Sequence, residues 1–149
     1  MSDLRDLYQE TILDHYKRPR NFACPPGANH KADGFNPLCG DKVSVFVNLE
    51  NDRVKEIGFT GSGCAISTAS ASLMTEALQG KSKAEAEALF QSFHKMIMAA
   101  PDSTHHTELG KLAVFEGVRE FPVRVKCASL AWHTLKSALH ADPQPVTTE

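Results

Sequence analysis

Apolar positions recur first at helical spacing, then at a period of two, then at helical spacing again. Leu4, Leu7, Tyr8, Ile12 and Leu13 recur at spacings of three and four, which predicts a helix over 3–17, capped by Ser2 or Asp3 and ended by Pro19. Arg18 to Phe22 and Pro25-Pro26-Gly27 then punctuate a long irregular connection. A short strand at the sheet edge is expected over 30–35. From Lys42 the period becomes two: Val43, Val45, Val47 and Leu49 alternate with polar residues, predicting a strand over 41–50 with one buried face. Asn51-Asp52 is a turn, and Val54 to Thr60 returns as the hairpin partner. Val54 is out of phase with Ile57 and Phe59, and a bulge near Lys55-Glu56 reconciles them.

Gly61-Ser62-Gly63 hands over to a helix over 64–79. Its buried stripe is Ile66, Ala69, Leu73, Ala77 and Leu78, with Ser67, Ser70 and Thr75 mostly on other faces. Gly80 stops it. Ser82 and Glu85 form a capping-box pattern that opens a helix to about Met98. Residues 101–107 read as loop, 108–115 as a short helix, and 116–121 as a lead to Pro122. A last helix is expected over 127–141, burying Leu130, Ala131, Leu135, Ala138 and Leu139. The tail, 142–149, is expected to be disordered. The expected fold is therefore a single α+β domain over 1–141, with a small antiparallel sheet of about three strands packed against about five to six helices.

Composition narrows the function classes. At 149 residues the chain suffices for one domain with a core that needs no disulfides, and 42% apolar and 23% charged residues are ordinary for a globular protein. A net charge of -2 argues against nucleic acid as a partner. No apolar run approaches a membrane span, and the charged N-terminus does not read as a signal peptide. A cytoplasmic location follows, where thiols stay reduced, so metal or sulfur chemistry is favoured over two disulfides.

Candidate chemistry centres on Asn36-Pro37-Leu38-Cys39-Gly40-Asp41, which sets a thiol and a carboxylate two residues apart at the mouth of a predicted strand. Cys64 follows the glycine pair, and Cys127 follows Arg124-Val125-Lys126. Cys39, Asp41, Cys64 and Cys127 together form a complete ligand set for tetrahedral zinc, and iron fits the same donors. Cys64 and Cys127 both fall at predicted helix N-termini, where free N–H groups favour a thiolate. Taken alone, Gly-x-Gly reads first as a tight turn. The spacing lacks the paired knuckles of a zinc finger, so tertiary structure must assemble the site. Four ionised ligands around Zn²⁺ leave a net charge of about -2, which Lys126 and Arg124 either offset or, as solvated cations, leave alone. Cys24 reads as a bystander. His105 and His106 read as solvated loop residues, His133 as packing or solvent-facing, and His15 as suited to a helix C-terminus. Asp14, Lys17, Arg18 and Arg20 form either a partner-facing patch or a charged surface.

Three stretches together carry a resemblance: His15 to Asn21, Asn36 to Asp41, and Gly63-Cys64-Ala65-Ile66-Ser67. With the last cysteine ahead of a helix, the chain resembles the IscU/NifU-type iron–sulfur cluster assembly proteins over nearly its whole length. Within that group it looks like the SufU branch. Its cysteine lies two positions later in the glycine turn than in IscU proteins, Lys126 stands where they carry histidine, and 81–106 is an insertion. The resemblance implies a zinc-bound sulfurtransferase with Cys39, Asp41, Cys64 and Cys127 as ligands and Cys39 as persulfide acceptor. The implied partner is a PLP-dependent cysteine desulfurase of the SufS type, and the sulfur passes to downstream iron–sulfur scaffold proteins. The alternative role is a scaffold for a nascent 2Fe–2S cluster.

Overall fold

The computed structural model describes residues 10–99, 107–141 and 145–147. Strands β1 (His30–Asn36), β2 (Asp41–Glu50) and β3 (Arg53–Ser62) form an antiparallel meander. Asn51 and Asp52 both have positive φ, 54° and 59°, the backbone of a two-residue turn whose twist matches that of the strands. Pairing runs from Asn48–Glu56 to Leu49–Val54 and skips Lys55. This is the expected bulge, and it turns Val54, Ile57 and Phe59 all inward.

A fourth strand, β4 (Val146–Thr147), pairs in parallel with Gly34 and Phe35, so the order is β3-β2-β1-β4. Two expectations change with it. β1 lies between two strands instead of at the edge, and part of the tail expected to be disordered is paired. The β-branched pair gives the outer N–H and C=O groups of β1 partners they would otherwise lack. Residues 142–144 and 148–149 lie outside the described residues.

The helices are α1 (Glu10–Lys17), α2 (Ala65–Leu78), α3 (Lys83–Met98), a 3-10 segment (Thr107–Glu120) kinked at Gly110, and α4 (Pro122–Leu139). The part of the first predicted helix before Glu10 lies outside the described residues. Ser82 and Glu85 form the capping box at α3. The 3-10 segment runs through the stretch expected to be a short helix and its lead. α4 starts at Pro122, five residues before the expected start, because proline at the first helical position is preorganised for it.

α2 is the central helix. Ser67, Ser70 and Thr75 are buried along with its apolar stripe, contrary to the one-faced reading. The Ser70 hydroxyl donates to the Ala128 carbonyl at 2.6 Å, which ties α2 to α4, and the Thr75 hydroxyl donates to the Ser72 carbonyl at 2.8 Å. α4 lies across β1 and β2, and Gly34 permits its approach, since a Cβ there would stand 2.1 Å from Thr134 Oγ1. The helical side of the core is sealed by Phe93, stacked on Trp132 at 4.6 Å and edge-on to Phe115 at 5.9 Å. Among the described residues no helix is long and apolar enough to cross a membrane.

Candidate metal centre

The β1–β2 connection builds the first part of the site. Asn36 and Asp41 are cross-strand partners that close the ladder, so residues 37–40 form the hairpin tip. The Cys39 N–H donates to the Asn36 carbonyl at 3.3 Å, and Gly40 takes φ 72°, which glycine adopts without strain. Cys39 is therefore held, half-buried, at the turn itself. Asp41 is fully buried. A buried carboxylate needs donors, and among the described residues it has three: the Cys64 N–H to Oδ1 at 2.9 Å, the Asn36 amide to Oδ2 at 3.4 Å and the Cys64 thiol to Oδ2 at 3.9 Å.

The glycine turn is more than a turn. A Cβ on Gly63 would stand 2.5 Å from Asp41 Oδ1, and one on Gly61 would stand 2.1 Å from the Lys42 carbonyl oxygen. Both glycines are needed for the β3–α2 connection to pass this close to Asp41. Cys64 then caps α2, its Sγ accepting the Ser67 N–H at 3.4 Å. Its thiol is lowered to about 7, chiefly by a hydrogen bond from the Cys127 thiol, with the N–H groups of Ser67 and Ile66 adding to it against burial.

Cys127 departs from expectation. It lies in the second turn of α4, fully buried, past the free N–H groups of that helix's first turn. Its thiol is pushed up, first by its hydrogen bond to Cys64, then by burial and the neighbouring negative groups. The two helix-start thiols of the sequence reading thus behave oppositely.

Three of the four expected side chains come together as a group, and Cys64 falls just outside it. Cys127 Sγ stands 3.4 Å from Cys39 Sγ, and the donor atoms of Cys39, Asp41 and Cys127 all lie within 4.8 Å of one another. Cys64 stands beside this trio, its Sγ 3.9 Å from Asp41 Oδ2. Zinc–sulfur bonds of about 2.3 Å set tetrahedral sulfurs about 3.8 Å apart, so the Cys39–Cys127 pair needs to open by only about 0.4 Å to share an ion. Three soft thiols and a carboxylate suit zinc or iron.

Other candidates fall elsewhere. Cys24 is exposed and apart from the cluster. His15 is buried and bonded to the Ser72 hydroxyl at 2.7 Å, and burial lowers its pKa, so it does not serve as a charged helix-end residue. His133 packs among Phe90 and His94. Asp14 pairs with Arg18 and with Arg20, a surface ion-pair cluster. His105 and His106 lie outside the described residues. Lys126 lines a groove of about 850 Å³ with His94, Met98, His133 and Val146, on a different side of α4 from Cys127. Asn36 is the residue that the sequence reading missed. It stands within the motif, but nothing in its identity distinguishes a turn residue from one bonded to both Asp41 and Cys127.

A sheet layer that gathers thiols and a carboxylate from a hairpin tip, a glycine turn and a distant helix defines a class of small α+β proteins with a tertiary-assembled thiol site. The model of the NifU-like N-terminal domain matches residues 7–141, and the chain belongs to that family. It is 42% identical over 139 residues to the iron–sulfur cluster assembly scaffold protein IscU of Streptococcus pyogenes, covering 93% of this chain and 86% of the relative. It is 38% identical over 138 residues to the zinc-dependent sulfurtransferase SufU of Bacillus subtilis, covering 93% and 92%. A crystal structure described as a SUF-system scaffold from Fervidobacterium islandicum superposes with a TM-score of 0.83 at 33% identity, over 92% of this chain and 99% of that one.

Proposed function

We propose that this chain holds zinc through Cys39, Asp41, Cys64 and Cys127 and carries sulfur on Cys39 from a PLP-dependent cysteine desulfurase to the proteins that assemble iron–sulfur clusters. The observation that carries the reading is the convergence of Cys39, Asp41 and Cys127 within 4.8 Å, with Cys64 against Asp41. The zinc-dependent relative from Bacillus subtilis supports it. Zinc bound there supplies Lewis acidity that keeps the thiols ionised, with no redox change of its own.

Cys39 is the reacting group because it sits at the hairpin tip, next to Leu38, which is 62% exposed, whereas Cys127 is fully buried. Its thiolate attacks the outer sulfur of the desulfurase persulfide. A new S–S bond forms on Cys39, the enzyme's S–S bond breaks, and the enzyme cysteine leaves as thiolate. No external oxidant or reductant is consumed. Desulfurase turnover in the presence of wild-type protein and of Cys39→Ala tests this: stimulation is expected from the first and lost in the second. Full stimulation by the variant would overturn the role of Cys39.

A second reading is supported by the Streptococcus pyogenes relative and by donors that also suit iron: a scaffold on which a 2Fe–2S cluster is built. Anaerobic reconstitution with iron and sulfide separates the two, since a stable visible cluster favours the scaffold.

A further inference from the structure

We propose that Asn36 is a positioning residue that fixes Asp41 and Cys127 and leaves Cys39 as the sulfur free to react; this rests on the metal-centre reading above. The Asn36 side chain is fully buried and its amide is shared three ways. Oδ1 accepts the Leu38 N–H at 3.2 Å, so the amide holds the turn that carries Cys39. Nδ2 lies 3.4 Å from Asp41 Oδ2 and 3.6 Å from Cys127 Sγ, and its two hydrogens serve one acceptor each. The last residue of β1 thus connects the hairpin tip, the β2 carboxylate and the α4 sulfur.

The consequence is an inequality among the sulfurs. Cys127 receives the Asn36 amide and Cys64 receives the Ser67 N–H. Among the described residues no N–H donates to Cys39 Sγ, whose sulfur contact is the Cys127 thiol. An N–H donor stabilises a thiolate where it is and draws charge from it. The sulfur without one keeps its electron density and the least restraint. Partners of this kind, hydrogen-bonded to metal ligands, orient them and tune their affinity.

The test uses the full chain loaded with Co²⁺, as wild type, Asn36→Ala and Asn36→Ser. Three quantities are read: the thiolate-to-cobalt absorption band, affinity by chelator competition, and the ratio of Cys39 to Cys127 alkylation by iodoacetamide from peptide mass spectrometry. Asn36→Ala is expected to bind cobalt about 10–100-fold more weakly, with a changed band and a Cys39 preference reduced by a comparable factor. Serine keeps an oxygen for the Leu38 N–H but has no amide, so it is expected to behave like alanine. Serine restoring all three readouts would reduce Asn36 to a turn residue and overturn the proposal. So would folded variants indistinguishable from wild type. Where the variants fail to fold, ¹¹³Cd-loaded wild type decides: scalar coupling from the Asn36 side-chain amide protons to cadmium through Cys127 is expected, and its absence is contrary. Wild type that takes up no cobalt overturns both readings, whereas binding unaffected by substitution overturns this one alone.

Discussion

Gly63 shows how narrowly the site is built at the scale of a residue. Gly63→Ala places a methyl group 2.5 Å from Asp41 Oδ1, so the carboxylate or the turn must move. Metal affinity is expected to fall about tenfold or more in chelator competition, with the fold retained by circular dichroism. His15 gives a pH dependence. Burial, with the Arg20 charge adding to it, lowers its folded pKa below the ordinary 6.5, so the unfolded chain binds the proton first as pH falls. The stability contributed by neutral His15 is complete above 6.5 and declines below it. Urea midpoints are expected to drop between pH 7.5 and 5.5, with a shallower drop in His15→Gln. Asp14, held at about 2 by hydrogen bonds from Arg18 and then Arg20, loses its contribution only as pH falls from 3.8 towards 2. Residue identity pointed to four candidate donor side chains, of which Cys39, Asp41 and Cys127 are grouped, but not to their surroundings. Cys127 and Cys64 looked alike in sequence, and it is chiefly their interaction with each other that separates them, raising the Cys127 thiol and lowering that of Cys64, with burial adding to the first and the α2 cap to the second. Likewise the environment of His15 is set by Ser72, 57 positions away.

Element-level packing turns on the approach of α4 to β1. Gly34→Ala forces Thr134 Oγ1, 2.1 Å from the new methyl, to give way, and the overpacking is expected to cost about 1–3 kcal/mol in denaturant unfolding. Adding Thr134→Ala should recover part of that loss. The same helix carries Cys127, so the single variant is also expected to weaken metal binding. Local signals proved reliable where an element follows its own chemistry: the β2–β3 alternation with its bulge at Lys55, the Asn51-Asp52 turn, and the Ser82 capping box. They misled where tertiary context decides. Proline at 122 begins α4 instead of preceding it, and serines and threonine on α2 are buried because sheet, α1 and α4 surround that helix. A two-residue strand such as β4 has no period to detect, and only its pairing with Gly34 and Phe35 defines it.

Taken as a whole molecule, the chain joins its candidate metal centre to the core through Cys127, with Cys39 and Cys64 packed against it, while most of the core lies among apolar residues alone. The Phe93–Trp132–Phe115 stack and the buried apolar residues of β2 and β3, from Val43 to Phe59, contain none of the proposed ligands, and Asp41 stands at the end of β2 ahead of them. Removing metal is therefore expected to leave the far-ultraviolet circular dichroism of the folded chain intact. Binding to the folded state alone at about 1,000 times the dissociation constant contributes about 4 kcal/mol, which at this chain length corresponds to a loss of about 10 °C in melting temperature on chelation. Scanning calorimetry with and without chelator checks this, and unfolding on metal removal would point to a structural staple instead. The sequence disclosed the site at this scale only through the joint pattern of three motifs, because no spacing rule links groups so far apart in the chain.

Cys39 and Cys127 are separated by 88 positions yet stand in contact. During synthesis, therefore, the first thiol leaves the ribosome long before its counterpart has been translated. A nascent chain exposes Cys39, Asp41 and Cys64 as an incomplete trio, open to oxidants and to stray metals, until α4 has emerged and docked. On the proposed reading, loading the ion would be a readout of finished folding.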